Sequence, residues 1–189
     1  MDISVTIKGR SPLLCNRYPL HEQMVKDGTS AAFSGKKGTP RVQAEPKLYI
    51  DSEGKPVLPG PNIAACITEA GKFHKVGKSK LTTMTTSILP SCLTVIDMEL
   101  PIVHPKPWEV YSCSVVNPST KGRIPCHRPM FQEWEVTFTL DLDTTIISDD
   151  LLREVIDTAG KRVGLGDYRP ARKGPFGRFV VTRWEELNQ

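Results

Sequence analysis

A chain of 189 residues, 39% hydrophobic and 24% charged, can bury a core and present a polar surface. That excludes a disordered chain and a membrane-embedded one, since no apolar run approaches spanning length. The net charge of +4 is mild but uneven: Lys161–Arg178 holds six basic residues against Asp167 alone, and Phe131–Gly160 holds eight acidic residues against Arg153.

In chain order, Asp2 to Lys8 alternates Ile3, Val5 and Ile7 with Ser4, Thr6 and Lys8, the pattern of a half-buried strand. Gly9-Arg10-Ser11-Pro12 breaks it before the apolar step Leu13-Leu14. Residues 16–45 carry little periodicity and read as loop, with Lys36, Lys37 and Arg41 forming a basic flap. Asp51-Ser52-Glu53-Gly54 reads as the turn of a hairpin between residues 47–50 and 56–58. Pro61 then opens a helix whose inward face is Ile63, Cys66, Ile67, Ala70 and Phe73 or His74. Lys72, Lys75, Lys78 and Lys80 line its far end, where they suit either a ligand or the helix dipole.

Residues 93–98 and 109–116 read as strands, separated by the proline-rich Pro101–Pro107. Asn117 to Met130 reads as a basic connection carrying Lys121, Arg123, His127 and Arg128. Gln132 to Asp143 gives the clearest strand, with Trp134, Val136, Phe138, Leu140 and Leu142 inward. Ser148 caps a helix whose buried face is Leu151, Leu152, Val155, Ile156, Ala159 and Val163, and Gly164 ends it. Residues 179–184 form the last strand. Reduced to its core, the order is β-α-β-β-α-β. That predicts an α+β fold of the ferredoxin-like or RRM-like kind, with an antiparallel sheet, two helices and long loop or hairpin insertions. We expect one domain over 1–189, with insertions at about 16–46 and 76–130.

Between the last helix and the last strand lies Gly164 to Phe179, rich in glycine, proline and arginine. Glycines let a backbone turn sharply and approach a ligand closely, and arginines match phosphate oxygens. The same composition serves a basic surface turn. As a phosphate-binding loop, its expected contacts are Arg169, Arg172, Lys173 and Arg178, with Gly164, Gly166 and Gly174 shaping the backbone. Tyr168 is a candidate for stacking on a base or for packing within the loop. Arg10, Arg17, Arg128, Lys72 and Lys75 extend the candidate surface.

The five cysteines are odd in number and contain no Cys-x-x-Cys pair, so a reducing cytoplasm is expected rather than a disulfide framework. Cys126-His127 is isolated among four scattered histidines, and neither a metal nor another cofactor is expected.

Two motifs occur together: Val57-Leu58-Pro59-Gly60-Pro61-Asn62-Ile63, a strand running through Pro-Gly into the first helix, and the loop Gly164 to Phe179. The combination resembles the RAMP superfamily of CRISPR-associated proteins, particularly small RNA-binding backbone subunits, or a solitary phage or mobile-element relative. Ser11-Pro12-Leu13-Leu14 also resembles that family's opening. Pro61-Asn62 stands where the family usually carries small hydroxyl residues. The resemblance implies a subunit that holds single-stranded guide RNA by backbone contacts. Its partners would be further copies of itself and other subunits of a ribonucleoprotein, with no membrane. It also implies two alternatives. One is a metal-independent endoribonuclease of the RNA-processing kind, for which His21, His74 and Asp27 are candidates. The other is a phage single-stranded DNA-binding protein. The absence of a paired-carboxylate or Ser-His-Asp signature favours binding over catalysis.

Overall fold

The computed structural model describes residues 1–18, 38–117 and 119–187; His21, Asp27, Lys36 and Lys37 lie outside the described residues. The strands are β1 (Asp2–Gly9), β2 (Leu13–Leu14), β3 (Val57–Pro59), β4 (Lys75–Val76), β5 (Ser79–Lys80), β6 (Leu93–Val95), β7 (Glu99–Pro101), β8 (Glu109–Val116), β9 (Arg123–Phe131), β10 (Glu135–Leu142) and β11 (Phe179–Leu187). The α-helices are α1 (Pro40–Ala44), α2 (Gly60–Ala70), α3 (Leu89–Cys92) and α4 (Asp149–Thr158). The architecture is mixed, with helices and antiparallel sheets.

The main sheet has the order β11-β1-β10-β6, and every neighbouring pair is antiparallel. Alternation explains its two faces. Ile3, Val5, Ile7, Val136, Phe138 and Leu140 point one way and are fully or almost fully buried with residues of α2 and α4. Ser4, Thr6, Thr137 and Thr139 point the other way, where the Thr6 and Thr137 hydroxyls meet at 2.9 Å.

Each principal helix has a local cause. Pro59 enters α2 extended and Pro61 occupies its first turn, where no N–H is needed. Ile63, Cys66, Ile67 and Ala70 are its buried stripe. Gly60 is required because a Cβ there would run into the Asp97 carbonyl. In α4 the Ser148 hydroxyl accepts from the Leu151 N–H, and Asp149 and Asp150 complement the helix dipole. A π-type turn, Ala159–Val163, continues α4 until Gly164 takes φ +75°.

Several expectations change. Asn117–Met130 is not a plain connection: most of it is β9, paired with β8 from Glu109↔Met130 to Val116↔Arg123. On the edge of β9 away from β8, β2 pairs with only Phe131 and Met130 and the Cys15 amide donates to the Pro129 carbonyl at 2.9 Å, so the missing N–H groups of Pro125 and Pro129 are tolerated on that sparsely paired edge. The turn at Asp51 does form, with its carboxylate accepting from the Glu53 and Lys55 amides at 2.8 Å. Its arms meet at only one bridge, Ile50↔Pro56, and Val57–Pro59 pairs instead with β7. Arg41, expected in loop, lies in α1 and stacks 3.4 Å above the Trp108 ring. Residues 93–98 keep only the three-residue β6.

Candidate nucleic-acid interface

The glycine-rich loop leaves the π-type turn after α4 and is laid against the strand-breaking residues after β1. The Leu165 amide donates to the Gly177 carbonyl (2.9 Å), Asp167 to Leu14 (2.7 Å) and Gly177 to Pro12 (2.8 Å). The Arg178 amide donates to the Ser11 hydroxyl at 3.0 Å. Most of the loop's amides are therefore spent on the protein itself.

This changes the role expected of the glycines. A Cβ at Gly174 would collide with the Tyr168 carbonyl, and one at Gly177 with the Leu165 carbonyl. At Gly166 it would lie 2.5 Å from the Leu14 carbonyl, and at Gly164 2.7 Å from Pro170. The glycines let the loop fold back on itself and on β2. Tyr168 and Lys173 hold the left-handed conformation despite having side chains, with φ of 46° and 62°. Such residues cost of order 1–3 kcal/mol each and concentrate where a loop has work to do. The strain fixes a half-exposed Tyr168 ring 6.1 Å from Phe176, which in turn packs edge-on against Tyr111 of β8 at 5.0 Å.

The cations divide into braces and free ends. Arg169 is a brace: its guanidinium donates to the Gly166 carbonyl at 3.0 Å and lies 3.9 Å from Glu69 of α2. Glu69 also lies 3.5 Å from Lys72, so one carboxylate holds both cations. Arg128 reaches the loop from β9 and pairs with Asp167 at 2.7 Å, largely shielded from water. It is close to the loop but neutralised. Arg178 donates to the Lys161 carbonyl at 2.7 Å, closing the end of the preceding helical turn, while its surface stays exposed. Arg172 and Lys173 are exposed, and their side chains make no ion pair among the described residues. Arg10 is exposed, and its amide is bonded to the Arg178 carbonyl. Arg17 lies beyond β2, with its amide bonded to the Lys47 carbonyl at 2.9 Å. Lys75 lies in the separate β4–β5 hairpin and has no bond to the loop.

Between the loop and α2 lies a cleft of about 250 Å³. Gly164, Gly166 and Arg169 line one side, Asn62, Ala65 and Cys66 the other. The two sequence motifs therefore form the two walls of one cleft, joined where the Cys66 thiol donates to the Gly164 carbonyl at 3.2 Å. Asn16, Tyr49 and Asn62 also line it and were not anticipated as site residues. One signal for them existed: positions 62, 66 and 69 share a helix face at i, i+4 and i+7, which places Asn62 in line with Glu69. Burial pushes both cleft thiols, Cys15 and Cys66, up to about 12, with the nearby Arg169 charge lowering Cys66 slightly against that. They are protonated, unreactive floor groups.

His74 does not face this cleft. Its Nε2 lies 2.7 Å from the Thr158 hydroxyl and its Nδ1 4.0 Å from Glu154, so it ties the end of α2 to α4. His127 is bonded to Ser112 within the β8–β9 hairpin. Among the described residues, no group of three or more His, Cys, Asp or Glu side chains is arranged to hold a metal ion. Among them, no helix is long and apolar enough to cross a membrane.

No protein-family model matches the chain, and no curated protein matches it. Solved structures do. A chain of the type III-B Cmr-β complex bound to cognate target RNA, determined by cryo-EM, aligns over 97% of this chain with a TM-score of 0.56 at 10% identity. Cmr6 from Pyrococcus furiosus aligns over 96% of this chain and 98% of its own, at 11% identity and a TM-score of 0.39. The chain spans 59% of the length of the Cmr-β neighbour. At 10% identity the similarity is one of fold.

Proposed function

We propose that this protein is a RAMP-type, RNA-binding subunit of a CRISPR-like ribonucleoprotein, holding single-stranded RNA by its backbone along the glycine-rich loop. The observation that carries the reading is the convergence of the Pro-Gly helix start and the loop on one cleft, in a loop that also carries the exposed Arg172, Lys173 and Arg178. The order β11-β1-β10-β6, with α2 and α4 in the crossovers, supports the ferredoxin-like assignment. The fold shared with a chain of an RNA-bound Cmr complex supports the same partner. Exposed cations give affinity without sequence, and repeated copies along one strand give a continuous groove. Of the three candidates for metal-independent cleavage only His74 lies among the described residues, and it is engaged between α2 and α4.

The test is competition between single-stranded RNA and DNA of one sequence, with the RNA analysed for fragments. Tighter binding of intact RNA is expected, since only RNA offers 2′-hydroxyl contacts. Equal or better binding of DNA would move the protein to the phage single-stranded DNA-binding reading. Shortened RNA would make it a nuclease.

A further inference from the structure

The cleft holds more than phosphate chemistry requires. Phosphate binding needs cations, yet the charged groups at this cleft are committed inward: Arg169 to the Gly166 carbonyl and toward Glu69, Asp167 to Arg128. The unspent polar groups are of another kind. Asn16, Asn62 and Tyr49 line the cleft, and their side chains make no hydrogen bond among the described residues. An amide presents a donor and an acceptor side by side. Tyr49 adds the one aromatic ring among the described lining residues.

We infer that this cleft takes one unstacked base of the bound strand, with Asn62 and Asn16 reading its edge and Tyr49 contacting its face. The inference rests on the RNA-binding reading above and adds a nucleotide preference to it. The size suits a base. At about 250 Å³ the cleft falls below the roughly 300–1,000 Å³ of pockets for drug-sized ligands and leaves no room for a folded segment. The floor suits it too, because Leu13, Cys15, Leu58 and Cys66 are apolar or protonated and exclude competing charge. The donor–acceptor pattern selects among bases. Adenine offers an amino donor beside a ring-nitrogen acceptor on both its Watson–Crick and Hoogsteen edges. Cytosine and uracil match an amide only on the Watson–Crick edge; guanine matches there and on the sugar edge beside the ribose, but its Hoogsteen edge offers acceptors only. Adenine alone therefore matches on both edges that lie away from the ribose, and it is the expected base.

The experiment measures wild-type protein and Asn62→Ala binding to four short oligoribonucleotides. They carry A, C, G or U at one central position, and a fifth is abasic there. Wild type is expected to bind the adenine oligomer about tenfold more tightly than the abasic one, within the range for one amide–base pair. Asn62→Ala should lose most of that preference while keeping wild-type affinity for the abasic oligomer, which also reports that it is folded. Equal wild-type affinity for all five would overturn the inference while leaving RNA binding standing. So would an Asn62→Ala protein that keeps the preference, or one that loses affinity for all five alike. Failure of the wild type to bind any of the five would remove the RNA-binding reading and the inference together.

Discussion

The glycine-rich loop and the hydroxyl-bearing face of the main sheet, on which Thr137 is exposed and Thr6 buried, are built oppositely. The sheet face is flat and regular. Ser4, Thr6, Thr137 and Thr139 run across it, with Asp2, Glu135, Asp141 and Glu185 against Lys8 and Arg183. It offers no aromatic platform of the kind an RRM-like sheet uses for stacked bases. The loop is irregular and strained; it carries the exposed Arg172, Lys173 and Arg178, and its Gly164, Gly166 and Arg169 line a cleft. The sheet face mixes both signs of charge, whereas the cleft and the exposed cations without a described ion pair, Arg172 and Lys173, go with the loop. The proposal that RNA lies along the loop follows this difference in side-chain chemistry, not the topology.

This contrast can be broken most severely at high pH. The cleft has two buried thiols among its lining residues, Cys15 and Cys66, whose ionisation is pushed from 9.0 to about 12 by burial. The folded chain keeps protons there that the unfolded chain releases. Stability is thus intact below pH 9 and falls as pH rises toward 12, by several kcal/mol at full extent, at about 1.4 kcal/mol per pKa unit. Urea unfolding across pH 8–11 should show this fall, and Cys15→Ala with Cys66→Ala should flatten it. A steep fall retained in the double variant would mean that other groups carry it.

Smaller effects come from the backbone. Gly177→Ala must place a Cβ against the Leu165 carbonyl at φ +71° and should cost about 3 kcal/mol or more. Thr137→Val on the sheet face loses one hydroxyl contact with Thr6 and should cost only about 1 kcal/mol. Equal costs in thermal unfolding would contradict the view of the loop as a tightly specified element.

The sequence made half-buried strands legible because alternation records which face is covered: Ile3, Val5 and Ile7, and Val136, Phe138 and Leu140, all point into the core as expected. The starts of α2 and α4 were legible through Pro61 and Ser148. β9 was not, because its prolines are tolerated only by virtue of a sparsely paired edge that no local pattern reveals. The loop could be recognised as basic, but its braces could not. Arg128 and Asp167 are far apart in sequence, and so are Arg169 and Glu69; only the fold pairs them and separates committed cations from free ones. The cleft amides were hidden for the same reason, since Asn16, Tyr49 and Asn62 meet only across three segments.

The most direct measurement is the salt dependence of RNA affinity for wild type, for Arg172→Ala with Lys173→Ala, and for Arg183→Ala on the sheet face. Each lost phosphate contact on a single strand lowers the slope of log affinity against log salt by about 0.7. The loop variant should therefore bind more weakly with a slope reduced by about 1.4, two contacts at that same increment, and Arg183→Ala should match wild type. An unchanged slope in the loop variant, or a reduced slope in Arg183→Ala, would contradict the account.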